Sequence, residues 1–304
     1  MSAILAFYVS TLLLLAPLLA CVGVGTYWGK RDLPFSPNFL SMLVTLVSTP
    51  ALVFHTLTST ELENQVLMEI GSVTALALFL SAVLCALALR ILGLPVRALM
   101  QTAAFPNAGN MGLPLAHLAF GPQGFSAAIV FFAICAFVQN TIAVRLLPGA
   151  GVKGAWKAPV LVASVAAVGC RVLGVPVPQW VMESVQLLGS LTVPLMLISL
   201  GYALSSIPAR GLRSGATVAT LRLTMGAFAG FAAGWILGLN AELRGLIVLQ
   251  MTMPCAVMSY IFATRYTDQG DVSAGAVLLS TVGFIVLSPL ILAMVGAPLP
   301  GATP

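Results

Sequence analysis

Apolar residues in this chain continue for about twenty positions at a time, interrupted by short clusters of charge, glycine and proline. The runs fall near residues 3–27, 36–58, 66–92, 97–119, 124–147, 156–174, 179–205, 212–238, 241–265 and 270–296. A helix needs about 20 apolar residues to cross a hydrocarbon core. An isolated strand cannot satisfy its backbone groups in lipid. The pattern therefore predicts an all-α integral membrane protein of ten transmembrane helices joined by short loops, with the lipid bilayer as its first partner.

Composition sharpens this by exclusion. Of 304 residues, 60% are hydrophobic and 7% charged; a soluble domain carries roughly 25% charged residues, so a water-soluble enzyme is excluded. The net charge of +5 comes from basic residues scattered singly and in pairs, which form no patch for nucleic acid. Five cysteines, Cys21, Cys85, Cys135, Cys170 and Cys255, stand far apart in apolar runs, a pattern of neither a disulfide framework nor a metal site. No catalytic residue, metal ligand or cofactor motif is found. Leu18-Leu19-Ala20-Cys21 resembles a lipoprotein cleavage box, but no basic start precedes it, and the segment reads as the first span.

Positive charge orients the helices. Lys30, Arg31, Arg90, Arg97, Arg145, Lys153, Lys157, Arg210, Arg213 and Arg265 fall on one side, only Arg171 and Arg244 on the other, and Arg222 within a span. The first side is expected in the cytoplasm, with both termini on the outer, periplasmic face of the inner membrane.

The two halves echo each other. Thr49-Pro50-Ala51-Leu52 reappears as Val193-Pro194-Leu195-Met196, Phe105-Pro106 as Met253-Pro254, and Gln123-Gly124 as Gln269-Gly270, at separations of 144, 148 and 146 positions. A five-helix unit begins and ends on opposite sides of the bilayer, so a second copy runs inverted. Residues 1–150 and 151–304 are the expected repeats. Such repeats build secondary transporters, with the substrate held at the midplane beside interrupted helices.

The fourth run carries an interruption at Phe105-Pro106-Asn107-Ala108-Gly109-Asn110-Met111-Gly112-Leu113-Pro114. Its two prolines and two glycines would cost a continuous helix about 8 kcal/mol if additive, which points to a deliberate break lining a polar cavity. The ninth run has the milder Met253-Pro254-Cys255.

These motifs resemble the auxin efflux carrier family, which includes plant auxin carriers and bacterial carriers of malonate and related acids. The plant motif P-N-x-x-x-M-G-I-P-L, ending in Y-G, is matched by Pro106, Asn107, Met111, Gly112, Leu113, Pro114, Leu115, Phe120 and Gly121. Pro50, Phe54 and His55 match a P-x-x-x-F-H pattern, and Pro254, Val257, Ile261, Phe262, Ala263 and Tyr266 match one on the ninth run. The resemblance implies broken helices 4 and 9 that cross at their prolines, and a homodimer. Asn110 replaces an apolar residue of the plant motif, and the long central loop of many plant carriers is reduced to a few residues. The resemblance therefore implies a substrate other than auxin.

A crossing of this kind suits an anion, because each second half-helix starts near the midplane with free N–H groups and a positive dipole end. The candidate substrate-binding residues are Pro106, Asn107, Gly109 and Asn110 on the fourth run, Gln139 and Asn140 on the fifth, Arg222 on the eighth, and Pro254 and Cys255 on the ninth. Alternatives stay open at several. The two asparagines could bond backbone freed by the prolines, Arg222 could snorkel or hold a carbonyl, and adjacent Gln139 and Asn140 cannot share a helix face. His55 and His117 could relay protons or sit at interfaces. All eight acidic residues lie in loops or near span ends, which weighs against the runner-up, a cation antiporter or sodium-coupled symporter on a related scaffold. The leading expectation is a carrier for a small organic mono- or dicarboxylate.

The charge count generates a topology test. Single cysteines introduced at residues 2 and 302 are both expected to react with an impermeant reagent from outside intact cells. Reaction only after lysis would overturn the inverted arrangement.

Overall fold

The computed structural model describes residues 3–60, 62–148, 158–205 and 211–296. Lys153, Lys157 and Arg210 of the orienting count lie outside these residues, as does the expected repeat boundary after residue 150. Helices account for all regular structure among the described residues apart from one isolated bridge.

The helices are α1 (Ala3–Lys30), α2 (Pro37–Leu43), α3 (Thr49–Ser59), α4 (Asn64–Ile91), α5 (Val96–Ala104), α6 (Leu113–Val138), α7 (Pro159–Val172), α8 (Gln179–Ser190), α9 (Thr192–Ser205), α10 (Leu212–Ile236), α11 (Ala241–Thr252), α12 (Val257–Tyr266) and α13 (Gly270–Met294). Wider π-helical turns at Val44–Ser48, Ala108–Gly112 and Gln139–Ala143 lead into α3, into α6 and out of α6. By length and composition, five stretches of helix among the described residues can cross a membrane: Asn64–Ile91, Ala108–Leu146, Gln179–Ser205, Leu212–Ile236 and Gly270–Met294.

The ten apolar runs are therefore not ten uninterrupted helices, and local chemistry explains the differences. The second run is divided by the π turn ahead of Pro50, whose missing N–H disrupts the regular ladder. The fourth and ninth runs are split at Pro106 and Pro254. The fourth run's second half and the fifth run join as α6, which is interrupted at Gly121 (φ 66°, ψ −163°) just before Pro122. The Asn240 side chain accepts from Leu243 N at 2.9 Å to start α11. Left-handed Gly93, Gly174 and Gly238 close α4, α7 and α10.

Packing sorts the helices into two groups that do not coincide with the halves of the sequence. In one, α1 lies along α9, and α3 lies between α7 and α8; in the other, α4, α5, α6, α10, α11, α12 and α13 pack mainly on one another. Each sequence half supplies helices to both groups. Where α1 meets α9 the backbones touch, since a Cβ on Gly25 would stand 1.9 Å from Ile198 O and one on Gly201 2.0 Å from Val22 O. Small residues permit such approach, which is how helices gain contact in lipid, where apolar burial between them supplies no drive. Thr26 Oγ1 adds a hydrogen bond to Gly201 O at 3.2 Å across this seam.

The outer faces remain apolar, with Phe39, Val165, Trp180, Leu187, Phe228 and Trp235 exposed as lipid-facing groups. Arg171 lies beside the start of α4, at the end of that helix opposite Arg90. It donates to Asn64 Oδ1 at 2.8 Å and Thr60 O at 2.7 Å, tying the end of α7 to the α3–α4 loop. Arg97 Nε, near the start of α5, donates to Leu146 O at 3.1 Å.

The α1–α9 seam makes a paired prediction. Gly25→Ala forces a Cβ into a carbonyl oxygen and is expected to cost about 1–3 kcal/mol, read as a lower unfolding midpoint in detergent. Gly23→Ala, two residues away with nothing within 4 Å of the added Cβ, is expected to leave the midpoint unchanged or raise it.

Candidate functional site

Proline at 106 and at 254 removes a backbone donor, and each helix stops short of it. After α5 the chain is extended at Phe105 (φ −99°, ψ 124°), and after α11 it is extended at Met253 and Ala256. The two extended stretches lie antiparallel, with Pro106 opposite Cys255. Asn107 N donates to Pro254 O at 2.8 Å, and Ala256 N donates to Phe105 O at 3.2 Å. A two-residue fragment of β-ladder thus forms inside a helical protein, and each break satisfies the backbone groups that the other frees. The Cys255 N–H goes instead to Ser280 Oγ on α13, at 3.0 Å.

The carbonyl ends of α5 and α11 point toward one cation. Arg222, on α10, is completely buried. Its Nη1 donates to Ala104 O, to Ala103 O at 3.4 Å and to Ser81 Oγ at 3.5 Å, and its Nη2 donates to Met251 O. Ser81 Oγ and Cys85 Sγ on α4 donate to the same α5 carbonyls, at 3.1 and 3.3 Å. Arg222 therefore does not snorkel; it caps two half-helices from their negative ends. Gly226, one turn on, makes room for it, because a Cβ there would stand 1.8 Å from Nη2 and 2.1 Å from Met251 O.

The amide ends have a different character. In the π turn that begins at Ala108, the N–H groups of Met111 and Gly112 bond back to Asn107 O at 3.3 and 3.1 Å. Ala108, Gly109 and Asn110 occupy the first turn, where helix N–H groups lack an acceptor four residues back. Beside them the Asn107 side chain is buried, and its Nδ2 has no partner among the described residues. Asn110 is half-buried. Gly109 lies against the Phe132 ring and the Met196 side chain of α9, which brings the turn to the boundary between the two helix groups. An apolar cavity at that boundary is lined by Leu15, Leu19, Met111, Leu115, Leu200 and Phe284, among others.

Of the remaining candidates, Gln139 Nε2 donates to Ser259 Oγ at 3.2 Å, and Ser259 Oγ donates to Gln101 O at 3.0 Å, linking the end of α6 to the first turn of α12 and the last turn of α5. Asn140 turns back to its own helix, bonding Ala136 O at 2.7 Å. Cys255 is fully buried within the paired breaks. His55 is half-buried, and His117 is exposed with its ring 5.1 Å from that of Phe125. The structure thus brings Asn107, Gly109 and Asn110 together at one amide end. Pro106, Pro254 and Cys255 form the backbone joint, and Arg222 lies on the carbonyl side.

Sequence reasoning missed Ser81, Gln101, Ser259 and Ser280. Gln250 Nε2 donates to Gly112 O at 2.9 Å, and both polar atoms of the Gln101 side chain are buried without partners among the described residues. Gln101 and Gln250 sit four or five residues before their prolines. That placement was the one available signal; single serines in apolar helices gave none.

The family described as Membrane transport protein matches residues 11–157 and 150–292, most of the chain. The chain belongs to this family. Its members are transporters, and this protein is a multi-pass membrane transporter of the auxin efflux carrier type, not an enzyme. It is also similar to the uncharacterized transporter MJ1031 of Methanocaldococcus jannaschii, with 22% identity over 265 residues covering 80% of this chain and 85% of that protein.

The joint between the breaks yields a stability prediction. Ser280→Ala leaves the buried Cys255 N–H of the transporter unsatisfied, at an expected cost of about 1–3 kcal/mol. The check is the unfolding midpoint of the purified protein, with Ser72→Ala on the exposed face of α4 as the neutral control.

Proposed function

We propose that this transporter is a secondary carrier that moves a small organic anion, a mono- or dicarboxylate, across the inner membrane by alternating access. The observation that carries the reading is the donor cluster at the start of the Ala108–Gly112 turn, where the buried Asn107 Nδ2 and the first-turn N–H groups face no protein acceptor among the described residues. Such groups cost free energy when buried unpaired, and a carboxylate is the acceptor they suit.

Charge arithmetic supports the same sign. A helix terminus carries roughly half an elementary charge, so the two carbonyl ends together amount to about −1 and the two amide ends to about +1. Arg222 offsets the carbonyl ends. No Asp or Glu among the described residues is buried with the amide ends, and those ends remain complementary to an anion. The same absence argues against the cation antiporter or sodium symporter.

In this reading the chain forms ten spans as two inverted five-helix repeats, residues 1–150 and 151–304, with broken helices 4 and 9 crossing at the midplane and both termini outside. The π turn touches α9 of the neighbouring group at Gly109 and Met196, so relative movement of the two groups would expose the donor cluster to one side and then the other. A homodimer belongs to the reading through the resemblance described above.

Counterflow in proteoliposomes with a panel of carboxylates tests the proposal. Asn110→Ala is expected to remove about one hydrogen bond to a charged group, roughly 1.5–3 kcal/mol, weakening anion affinity about ten- to a hundredfold without unfolding the protein. Asn107→Ala is expected to act similarly. Full affinity in the double variant would show that the anion binds elsewhere.

A further inference from the structure

Arg222 is the charged side chain that lies fully buried in the helix packing among the described residues, and the anion reading does not use it. Its seat has an unusual composition. The oxygens around it are the carbonyls of Ala103 and Ala104 at the end of α5, the carbonyl of Met251 at the end of α11, and the hydroxyl of Ser81 on α4. No carboxylate among the described residues contributes, although a buried arginine ordinarily pairs with one. Neutral oxygens converging from the carbonyl ends of two interrupted helices are the donor set with which such carriers hold a free monovalent cation. Their summed dipole charge of about −1 matches a single positive charge.

We propose that the Arg222 guanidinium is a tethered cation occupying a monovalent-cation seat formed by Ala103 O, Ala104 O, Met251 O and Ser81 Oγ, so that the protein supplies from its own chain the counter-charge that a free ion would otherwise bring. The space is built for it. Gly226 is the residue without which the guanidinium could not lie between α10 and α11, and Ser81 and Cys85 hold the α5 carbonyls in place from the far side. A tethered ion cannot leave, so the seat stays filled in every state of the cycle and the protein binds no sodium there. Emptying the seat by substitution should convert it into a site for a small free cation. The inference does not depend on the identity of the substrate.

The test is thermal unfolding of the full-length protein in detergent, with sodium, guanidinium or choline as the only added cation. The wild type is expected to unfold at the same temperature in all three at low millimolar concentration. Arg222→Ala is expected to unfold about 10 °C lower in choline and to recover a large part of that loss in sodium or guanidinium, which enter the vacated seat, whereas choline is too large. Arg222→Lys keeps a charge in the seat without the fork that reaches both helix ends; it is expected to be destabilised but indifferent to sodium. A merely space-filling role for the side chain would give no ion-specific recovery. An Arg222→Ala protein that is equally unstable or unfolded in all three salts, a wild type stabilised by sodium, or an Arg222→Lys protein rescued by sodium would each overturn the proposal. Because unfolding is read without substrate, failure here is separate from failure of the anion reading in counterflow.

Discussion

The hydrogen bonds from Asn107 N to Pro254 O and from Ala256 N to Phe105 O are the constraint on which the rest of the structure depends. A transmembrane helix is tolerated in lipid because it satisfies its own backbone, and a break at mid-depth forfeits that satisfaction unless protein restores it. One broken helix alone would need several side chains to do so. Two broken helices, laid antiparallel at their prolines, repair each other with main-chain bonds. Ser280 and Gln250 add bonds to Cys255 N and Gly112 O.

Pairing the breaks has an electrostatic consequence. It brings two helix ends of each sign into a small, water-poor volume, where their fields are poorly screened. The negative ends are met by Arg222, whose burial would be prohibitive without acceptors of this kind. The positive ends are met by amides alone, with the Asn107 Nδ2 unpartnered. Arg222, the fully buried cation among the described residues, thus lies on the carbonyl side rather than the amide side. The same residues hold the fold, and in the proposed reading they favour an anionic substrate.

The two helix groups give that site a place to work. Close backbone contact at Gly25 and Gly201 binds α1 to α9, and the helices surrounding the breaks pack mainly among themselves. The contact between the groups runs past the π turn at Gly109 and the apolar cavity beside Met111 and Leu115. An element at the edge of its own packing unit is well placed to change its exposure without losing its internal bonds, which is what the proposed carrier reading needs of it.

Much of this was legible in the chain before any coordinate. Long apolar runs and sparse charge determined an all-helical membrane protein, because lipid admits few other backbone solutions. The density of proline and glycine at 106–114 marked a break, because no continuous helix would carry that cost unrewarded. The motif around Asn107 pointed to the family. Tertiary structure alone decided the rest. Arg222 could have snorkelled, since helix depth cannot be read to within a turn, and only the packing of α10 against α5 and α11 turned it to the carbonyl ends. Adjacent Gln139 and Asn140 were equivalent on paper, until packing sent one to Ser259 and the other to its own helix. Ser81 and Ser280 were indistinguishable from other serines in apolar helices, because a hydroxyl's role depends on which orphaned group another segment brings within 3 Å, and that is a property of the fold rather than of the neighbourhood in sequence.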